Sequence, residues 1–140
     1  MRYLVVISRT PNNYCAGVPD VPGCISTGST PEEMKVNIRE ALEFHFEGMS
    51  EHGETLPEPT ARAIVVEGYN AVVYREDGGW KAFVEELWPI VAAADTPERA
   101  EALFRETLPA YIGSLRASGA SVPPPAAEVF FVDVNLPVPA

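Results

Sequence analysis

Apolar residues along the first half of this chain form short runs typical of strands and one long stripe typical of a helix. Arg2–Arg9 is nearly continuous in Leu, Val and Ile, which predicts a strand buried on both faces of a sheet. Tyr14–Val18 and Cys24–Gly28 are two further strand-like runs, and Pro11-Asn12-Asn13 is a turn signal between the first two. Ala61–Glu67 is a fourth run. The first half of the chain is therefore predicted to contain four strands.

One amphipathic helix is predicted between the third and fourth strands. Thr30 can cap it by accepting the backbone N–H of Glu33, and Pro31 takes the first helical position, where its missing N–H costs nothing. Gly53 marks the C-terminus of the helix. The predicted apolar stripe consists of Met34, Ile38, Ala41, Leu42, His45 and Met49. On this stripe His45 is predicted to be a packed, hydrogen-bonded ring and not a ligand.

The same order of elements recurs in the second half of the chain. Thr30-Pro31-Glu32 recurs as Thr96-Pro97-Glu98, and with this offset of 66 residues Tyr3–Gly68 aligns without a gap on Tyr69–Val134. A repeat of this length indicates a duplicated structural unit. We therefore predict two tandem βββαβ units, residues 1–68 and 69–134, followed by a loose tail at 135–140.

The second repeat shows the same signals with two differences. Its predicted strands are Ala71–Glu76, Trp80–Val84, Ile90–Ala94 and Glu128–Val134, and its helical stripe is Ala100, Phe104, Leu108, Tyr111 and Leu115. In the first repeat Glu33 can reach back to the backbone N–H of Thr30 and complete a capping box, but Arg99 replaces it in the second repeat, so half of the box is lost there. Pro109 is expected to kink this second helix or to divide it after Leu108.

The predicted fold class is α+β, with a four-stranded mixed sheet and one helix on a face in each repeat. The fourth strand follows a crossover helix, so we expect it to pair parallel with the first strand of its own repeat, in the sheet order 3-2-1-4. Tyr69 follows Gly68 directly, which leaves no linker between the repeats. Either one long strand bent at Gly68 passes between the sheets, or the repeats pack directly.

Composition and charge narrow the possible partners. The chain has 140 residues, a net charge of −10 and a pI of about 4.6, so it would repel phosphate backbones and attract basic partners. Solubility alone also explains the acidity. Five apolar residues before Ser8 are too few for a signal peptide, and no run approaches the roughly 20 residues of a membrane span. We therefore expect a cytoplasmic protein.

The sequence offers no catalytic, metal or cofactor site. The offset places Cys15 opposite Lys81 and Cys24 opposite Ile90, which predicts that the cysteines face opposite sides of the sheet without a disulfide. His45 and His52 do not complete a set of metal ligands. The first strand carries no carboxylate that could bind Mg²⁺ for nuclease chemistry, so no enzyme is predicted.

One continuous part of the first repeat resembles a known family. Pro19–Gly28, then Thr30-Pro31-Glu32-Glu33, then Asn37–Glu43 resemble the HicB family, the antitoxin half of a type II toxin–antitoxin pair, over roughly Arg2–Pro59. The resemblance implies a partial RNase H-like fold and the binding of a small basic HicA-like toxin that cleaves mRNA. Family members commonly carry a C-terminal DNA-binding motif. The second repeat fills that position here, so direct DNA binding is not expected.

Two sets of residues are candidate contact sites. Pro19, Asp20, Pro22 and Gly23 form a rigid connector that is either turn structure or a partner-binding site. In the second repeat Glu85–Ile90 replaces this motif. Trp80, Phe83 and Trp88 are large residues near a hairpin, for which we predict burial between the repeats or between chains of a homodimer or higher homo-oligomer.

Three functions therefore stand in order of preference. The first is a HicB-like antitoxin bound to a small basic toxin. The second is a solitary HicB-derived structural or regulatory binding module without a toxin. The third is an RNA-binding or nuclease module. An aromatic platform for single-stranded nucleic acid needs basic residues beside it, and Lys81 alone gives Trp80, Phe83 and Trp88 too little positive charge.

Overall fold

The structure is a computed structural model that describes residues 1–135, so residues 136–140 of the predicted tail lie outside the described residues. A 3₁₀ turn, Glu85–Leu87, lies in the second half of the chain. The remaining elements, in chain order, are β1 (Arg2–Arg9), β2 (Tyr14–Gly17), β3 (Ile25–Gly28), α1 (Pro31–Glu51), β4 (Arg62–Val66), β5 (Tyr69–Glu76), β6 (Gly79–Val84), β7 (Val91–Ala94), α2 (Pro97–Ala117) and β8 (Glu128–Asp133).

The strands form two antiparallel sheets, and the predicted parallel pairing is wrong. The sheet orders are β3-β2-β1-β8 and β4-β5-β6-β7. β4 pairs antiparallel with β5, and β8 pairs antiparallel with β1. Glu67 and Gly68, the two residues between β4 and β5, have φ angles of 52° and 80°. A two-residue loop with positive φ at both positions is a type I′ hairpin turn, which reverses the chain and therefore requires an antiparallel neighbour.

The fourth strand of each predicted repeat thus lies in the sheet of the other repeat. Met1–Thr60 together with β8 form one compact unit, the first unit, and Ala61–Ala127 form the second unit. These units differ from the contiguous ranges 1–68 and 69–134 because β4 and β8 are exchanged. A long strand bent at Gly68 is also excluded, since β4 and β5 belong to one sheet.

In the first unit α1 packs on one face of the sheet. Its buried residues are Met34, Ile38, Leu42 and Phe46. Phe46 was missing from the predicted stripe, whereas His45, which was included, is only half-buried. The ring of Phe46 lies 5.2 Å from the ring of Tyr3 on β1. Tyr3, Val5 and Ile7 face this core, and Leu4 and Val6 are buried as well, so the prediction that β1 is buried on both faces is confirmed.

In the second unit α2 packs on the sheet in the same manner. Its buried residues are Ala100, Phe104, Leu108 and Ile112. The predicted division of this helix after Leu108 is wrong, because α2 continues through Pro109 to Ala117. Proline in a helix interior costs about 3 kcal/mol. Leu108, directly before the proline, and Ile112, three residues after it, are both buried in the core. Their burial offsets that loss.

The predicted helix caps at Thr30 and Thr96 are confirmed. The side chain of Thr30 accepts the backbone N–H of Glu33 at 3.1 Å, and Thr96 accepts that of Arg99 at 3.2 Å. Cys24 is buried in the first core, Cys15 is half-buried, and both are free thiols.

Candidate partner-binding site

The connector between β2 and β3 is folded into two consecutive turns. The backbone N–H of Val21 donates to the carbonyl of Val18 at 3.0 Å, and the N–H of Cys24 donates to the carbonyl of Val21 at 3.1 Å. Val21 points into the first core, whereas Pro22 and Gly23 are exposed and Pro19 is half-buried. Of the predicted contact residues, Pro22 and Gly23 therefore present most of the accessible surface.

Asp20 occupies a structural position within this connector. Its side chain is buried, with 8% of the residue exposed. One carboxylate oxygen, Oδ2, accepts the backbone N–H of Thr60 at 2.7 Å, and the Thr60 hydroxyl donates to the other, Oδ1. A buried carboxylate needs such donors, because burying an unpaired charge is costly. Asp20 therefore anchors the loop that precedes β4.

A matching anchor exists in the second unit, at positions 66 residues later. The Glu86 carboxylate accepts the backbone N–H of Ala126 at 2.8 Å and that of Ala127 at 3.2 Å. The sequence reasoning did not detect either anchor. The available signal was the presence of an acidic residue at both offset-related positions, 20 and 86.

Two tyrosines hold the same loops from the first strand of each repeat. The Tyr3 hydroxyl donates to the carbonyl of Pro57, and the Tyr69 hydroxyl donates to the carbonyl of Pro123. Burial, and then the charge of Asp20, raises the pKa of Tyr3. Burial, and then the charge of Glu86, raises the pKa of Tyr69, while Arg116 opposes that shift. Both hydroxyls are thus held in the neutral form that can donate.

The predicted assembly residues differ in how much surface they offer. Phe83 is buried, and Trp80 is half-buried against the second core. Trp88 is 59% exposed, and its ring meets that of Phe83 edge-on at 5.5 Å. Phe83 also contacts Tyr74 at 5.7 Å between ring centroids. Only Trp88 among the three predicted residues keeps a largely free ring.

The solvent side of α1 carries a surface that the sequence reasoning missed. Phe44 is 78% exposed, the largest exposed fraction among the large hydrophobic side chains of the described chain, and Val36 is 57% exposed. We call the set Val36, Glu40, Phe44, Glu47 and Glu51 the outer face of α1, because these residues are exposed and recur at intervals of three or four. The spacing of three or four residues could be read from the sequence, but the exposure of Phe44 could not.

The structure provides no metal cluster and no membrane helix in its described part. Within residues 1–135, no three His, Cys, Asp or Glu side chains lie close enough together to hold a metal ion. Neither α1 nor α2 has a stretch long and apolar enough to cross a membrane.

Comparison with known proteins gives one family match and several relatives. The family model described as HicB-like antitoxin of bacterial toxin-antitoxin system matches residues 3–75, just over half of the chain. A UPF0150 protein of Thermoplasma acidophilum is 36% identical over 67 residues, which cover 47% of this chain and 97% of that protein. An uncharacterised 14.9 kDa protein of Haemophilus phage HP1 is 47% identical over 57 residues. That match covers 41% of this chain and 43% of the phage protein, so the chain spans less than half of this relative's length.

Two solved structures also align with the chain. The N-terminal domain of the Burkholderia pseudomallei antitoxin HicB aligns with 34% identity and a TM-score of 0.37, over 40% of this chain and 65% of that one. A chain of the HicA3 and HicB3 toxin-antitoxin complex aligns with 18% identity and a TM-score of 0.45, over 96% of this chain and 99% of that one.

Proposed function

Because this chain belongs to the HicB-like antitoxin family of bacterial toxin-antitoxin systems, we propose that it binds and neutralises a small basic HicA-like toxin that cleaves mRNA. The single observation that carries the proposal is the family match over residues 3–75, which includes the connector and all of α1. Neutralisation requires only that the antitoxin covers the toxin's active site. The chain is therefore proposed to act by binding in the cytoplasm, without catalysis of its own.

Charge supports this partner class. The chain carries a net charge of −10, and opposite charge on a partner accelerates encounter and favours one orientation of docking. An acidic protein that binds a nuclease can also compete with RNA for the same basic surface, since RNA binding depends on Lys and Arg. The proposed partner is thus a protein whose RNA-binding surface is basic.

The connector is proposed as one part of the contact surface. Pro22 and Gly23 are exposed, and Pro19 is half-buried beside them. Asp20 is buried and bonded to Thr60, so in this proposal it holds the shape of the connector while its neighbours touch the toxin. Prolines support such a role because they lose little conformational freedom on binding.

We also propose that the chain arose by tandem duplication of one βββαβ unit with a partial RNase H-like ancestry. The helices α1 and α2 begin 66 residues apart, and both are 21 residues long. The anchors made by Asp20 and Glu86 occupy the same relative positions. In this proposal each repeat supplies its fourth strand to the sheet of the other repeat.

The experiment that tests the function is co-expression with the small basic protein encoded beside this gene. The neighbour alone should stop growth, co-expression should restore it, and the two proteins should elute as one complex from a sizing column. Lysozyme, a small basic protein of unrelated fold, serves as the control for charge alone, and a wash in 0.5 M salt removes purely ionic contacts. A toxic neighbour that this chain neither rescues nor binds would contradict the antitoxin role.

A second candidate function is a solitary binding module without a toxin. It is favoured by Glu85–Ile90, where the second repeat has lost the connector motif of the family. The absence of any toxic neighbouring gene would favour this candidate. In either role we propose a homodimer or higher homo-oligomer formed through sheet edges or through exposed Trp88, which native mass spectrometry at micromolar concentration would test.

A further inference from the structure

The outer face of α1 is built in a way that folding does not require. Successive side chains of a helix are rotated by about 100°, so Val36, Glu40, Phe44, Glu47 and Glu51 lie within an arc of about 80° on the side opposite the core. Phe44 exposes 78% of its surface at the centre of this stripe. Aromatic side chains are enriched at protein interfaces, in which a few aromatic anchors carry most of the binding energy.

The charge at the C-terminal end of this face also opposes the stability of the helix. The carbonyl end of a helix carries partial negative charge and favours cations in its last turn. α1 has no basic residue in its last turn and ends at Glu51. In the described chain, no ion-pair partner is found for Glu40, Glu47 or Glu51. A basic partner would relieve this unfavourable arrangement.

The corresponding face of α2 has lost these features. Glu106 keeps its charge, but alanine or glycine occupies the other four positions, which are Ala102, Ala110, Gly113 and Ala117. All five are exposed, and the last turn of α2 contains Arg116, a favourable cation. The corresponding positions of α2 therefore hold small residues in a helix of the same length and fold. The aromatic and acidic residues of α1 are a property of that helix alone.

A second copy of this chain fits the outer face of α1 poorly. A symmetric contact would bring Glu40, Glu47 and Glu51 of one chain close to the same carboxylates of the other. Like charges placed opposite each other at an interface are unfavourable. A basic surface with an apolar pocket is the complementary partner.

We propose that the outer face of α1 is the principal docking surface for the basic toxin, with Phe44 inserted in an apolar pocket and Glu40, Glu47 and Glu51 paired with surrounding Lys or Arg. The inference rests on the proposed antitoxin function and adds the surface and the chemistry of recognition. The toxin contacts of Pro22 and Gly23 then lie at the periphery of the interface.

The apolar part of the proposal is tested with Phe44→Ala and a matched control. Leu103→Ala removes a side chain of α2 that is 42% exposed. The probe is the purified basic neighbour, and its Kd is measured by calorimetry with the full chain. Phe44→Ala should raise the Kd at least about tenfold, whereas Leu103→Ala should leave it within about twofold of wild type. Thermal unfolding checks that both variants remain folded, as expected for exposed positions.

The ionic part is tested with the triple variant Glu40→Gln, Glu47→Gln and Glu51→Gln. Its control is the triple variant Glu54→Gln, Glu106→Gln and Glu128→Gln, which changes the net charge by the same amount at three exposed positions. The α1 triple should lower the association rate about tenfold or more at low salt, and the difference should shrink at high salt. The control triple should lose much less, because only the overall field changes.

The outcomes distinguish failure of the proposed function from failure of the docking surface alone. If the wild-type chain does not bind the neighbour, the proposed function and the inference both fail. If wild type binds and both α1 variants bind equally well, the antitoxin role stands and the docking surface is wrong. If Phe44→Ala instead abolishes self-association in ultracentrifugation and leaves toxin binding intact, the face is a contact between copies and the inference is overturned.

Discussion

The carboxylate of Asp20 accepts the backbone N–H of Thr60 at 2.7 Å and so joins the β2–β3 connector to the residue at which the chain leaves the first unit. Glu86 makes the equivalent bonds to Ala126 and Ala127, where the chain leaves the second unit. Both points at which the chain passes from one unit to the other are therefore held by a carboxylate, that of Asp20 in the first unit and that of Glu86 in the second.

Replacing Asp20 should destabilise the protein more than replacing an exposed aspartate. Asp20→Ala leaves the backbone N–H of Thr60 without this acceptor, which should lower the free energy of unfolding by about 2 kcal/mol. Asp20→Asn keeps one acceptor oxygen and should lose less. Asp133→Asn, at an exposed ion pair with Arg2, should change stability by less than about 0.5 kcal/mol. Urea unfolding measures all three, and an unchanged midpoint for Asp20→Ala would contradict an anchoring role.

The buried tyrosines should make stability fall at high pH. Their folded pKa values are raised above the ordinary tyrosine value. Above about pH 10 the unfolded chain releases these protons while the native chain retains them. The contribution to stability is therefore complete below that pH and is lost as the pH rises through the folded pKa values.

Removing the two hydroxyls tests this pH dependence. Tyr3→Phe and Tyr69→Phe should each cost about 1 kcal/mol at neutral pH, because the carbonyls of Pro57 and Pro123 lose their donors. Combined, they should flatten the decline of stability above about pH 10. A Tyr14→Phe variant, which removes one half-buried phenol hydroxyl outside these loops, is the control. A double variant that declines as steeply as wild type would show that other groups cause the effect.

Alanine should have opposite effects at two exposed glycines. Gly68 has a φ of 80° in the hairpin turn, so Gly68→Ala should destabilise the protein by about 1–2 kcal/mol. Gly113 lies within α2, and an added Cβ there would meet nothing within 4 Å. Gly113→Ala should therefore stabilise by about 0.5–1 kcal/mol. Thermal unfolding gives both signs, and a neutral Gly68→Ala would argue against the type I′ turn.

Removal of β8 should damage the first unit and spare the second. β8 pairs with Arg2–Ile7 of β1 and contributes Val132 to the first core. A chain ending at Ala127 should lose hydrogen-exchange protection in β1 and α1 while α2 stays protected, because β8 is not part of the second sheet. The full chain is the control. Loss of protection in α2 before α1 would contradict the exchanged topology.

Local signals were sufficient for much of the secondary structure. The predicted bounds of β1 agree with the structure at both ends, because five consecutive apolar residues from Tyr3 to Ile7 define it without help from distant contacts. Thr30 and Thr96 cap their helices through bonds that span three residues. Interactions of this range depend on neighbouring residue types, which the sequence contains directly.

The choice between His45 and Phe46 required the tertiary core. Both lie one turn after Leu42, at intervals of three and four residues, so helical periodicity is consistent with burial of either residue. The rings of Phe46 and Tyr3 lie 5.2 Å apart, and this packing rotates the helix so that Phe46 is buried. The same contact leaves His45 half-buried and turns Phe44 to solvent, which creates the outer face of α1.

Residue order alone predicted the order of strands and helices and determines the acidic charge that favours a basic partner. The partners of β4 and β8 were settled only in the folded molecule. β1 and β5 have similar apolar patterns, and either of them could pair with β4 or with β8 to complete a sheet. Because local patterns do not distinguish these two pairings, the choice depends on hydrogen bonds between distant residues. It also depends on the two-residue turn at Glu67-Gly68, which holds β4 beside β5.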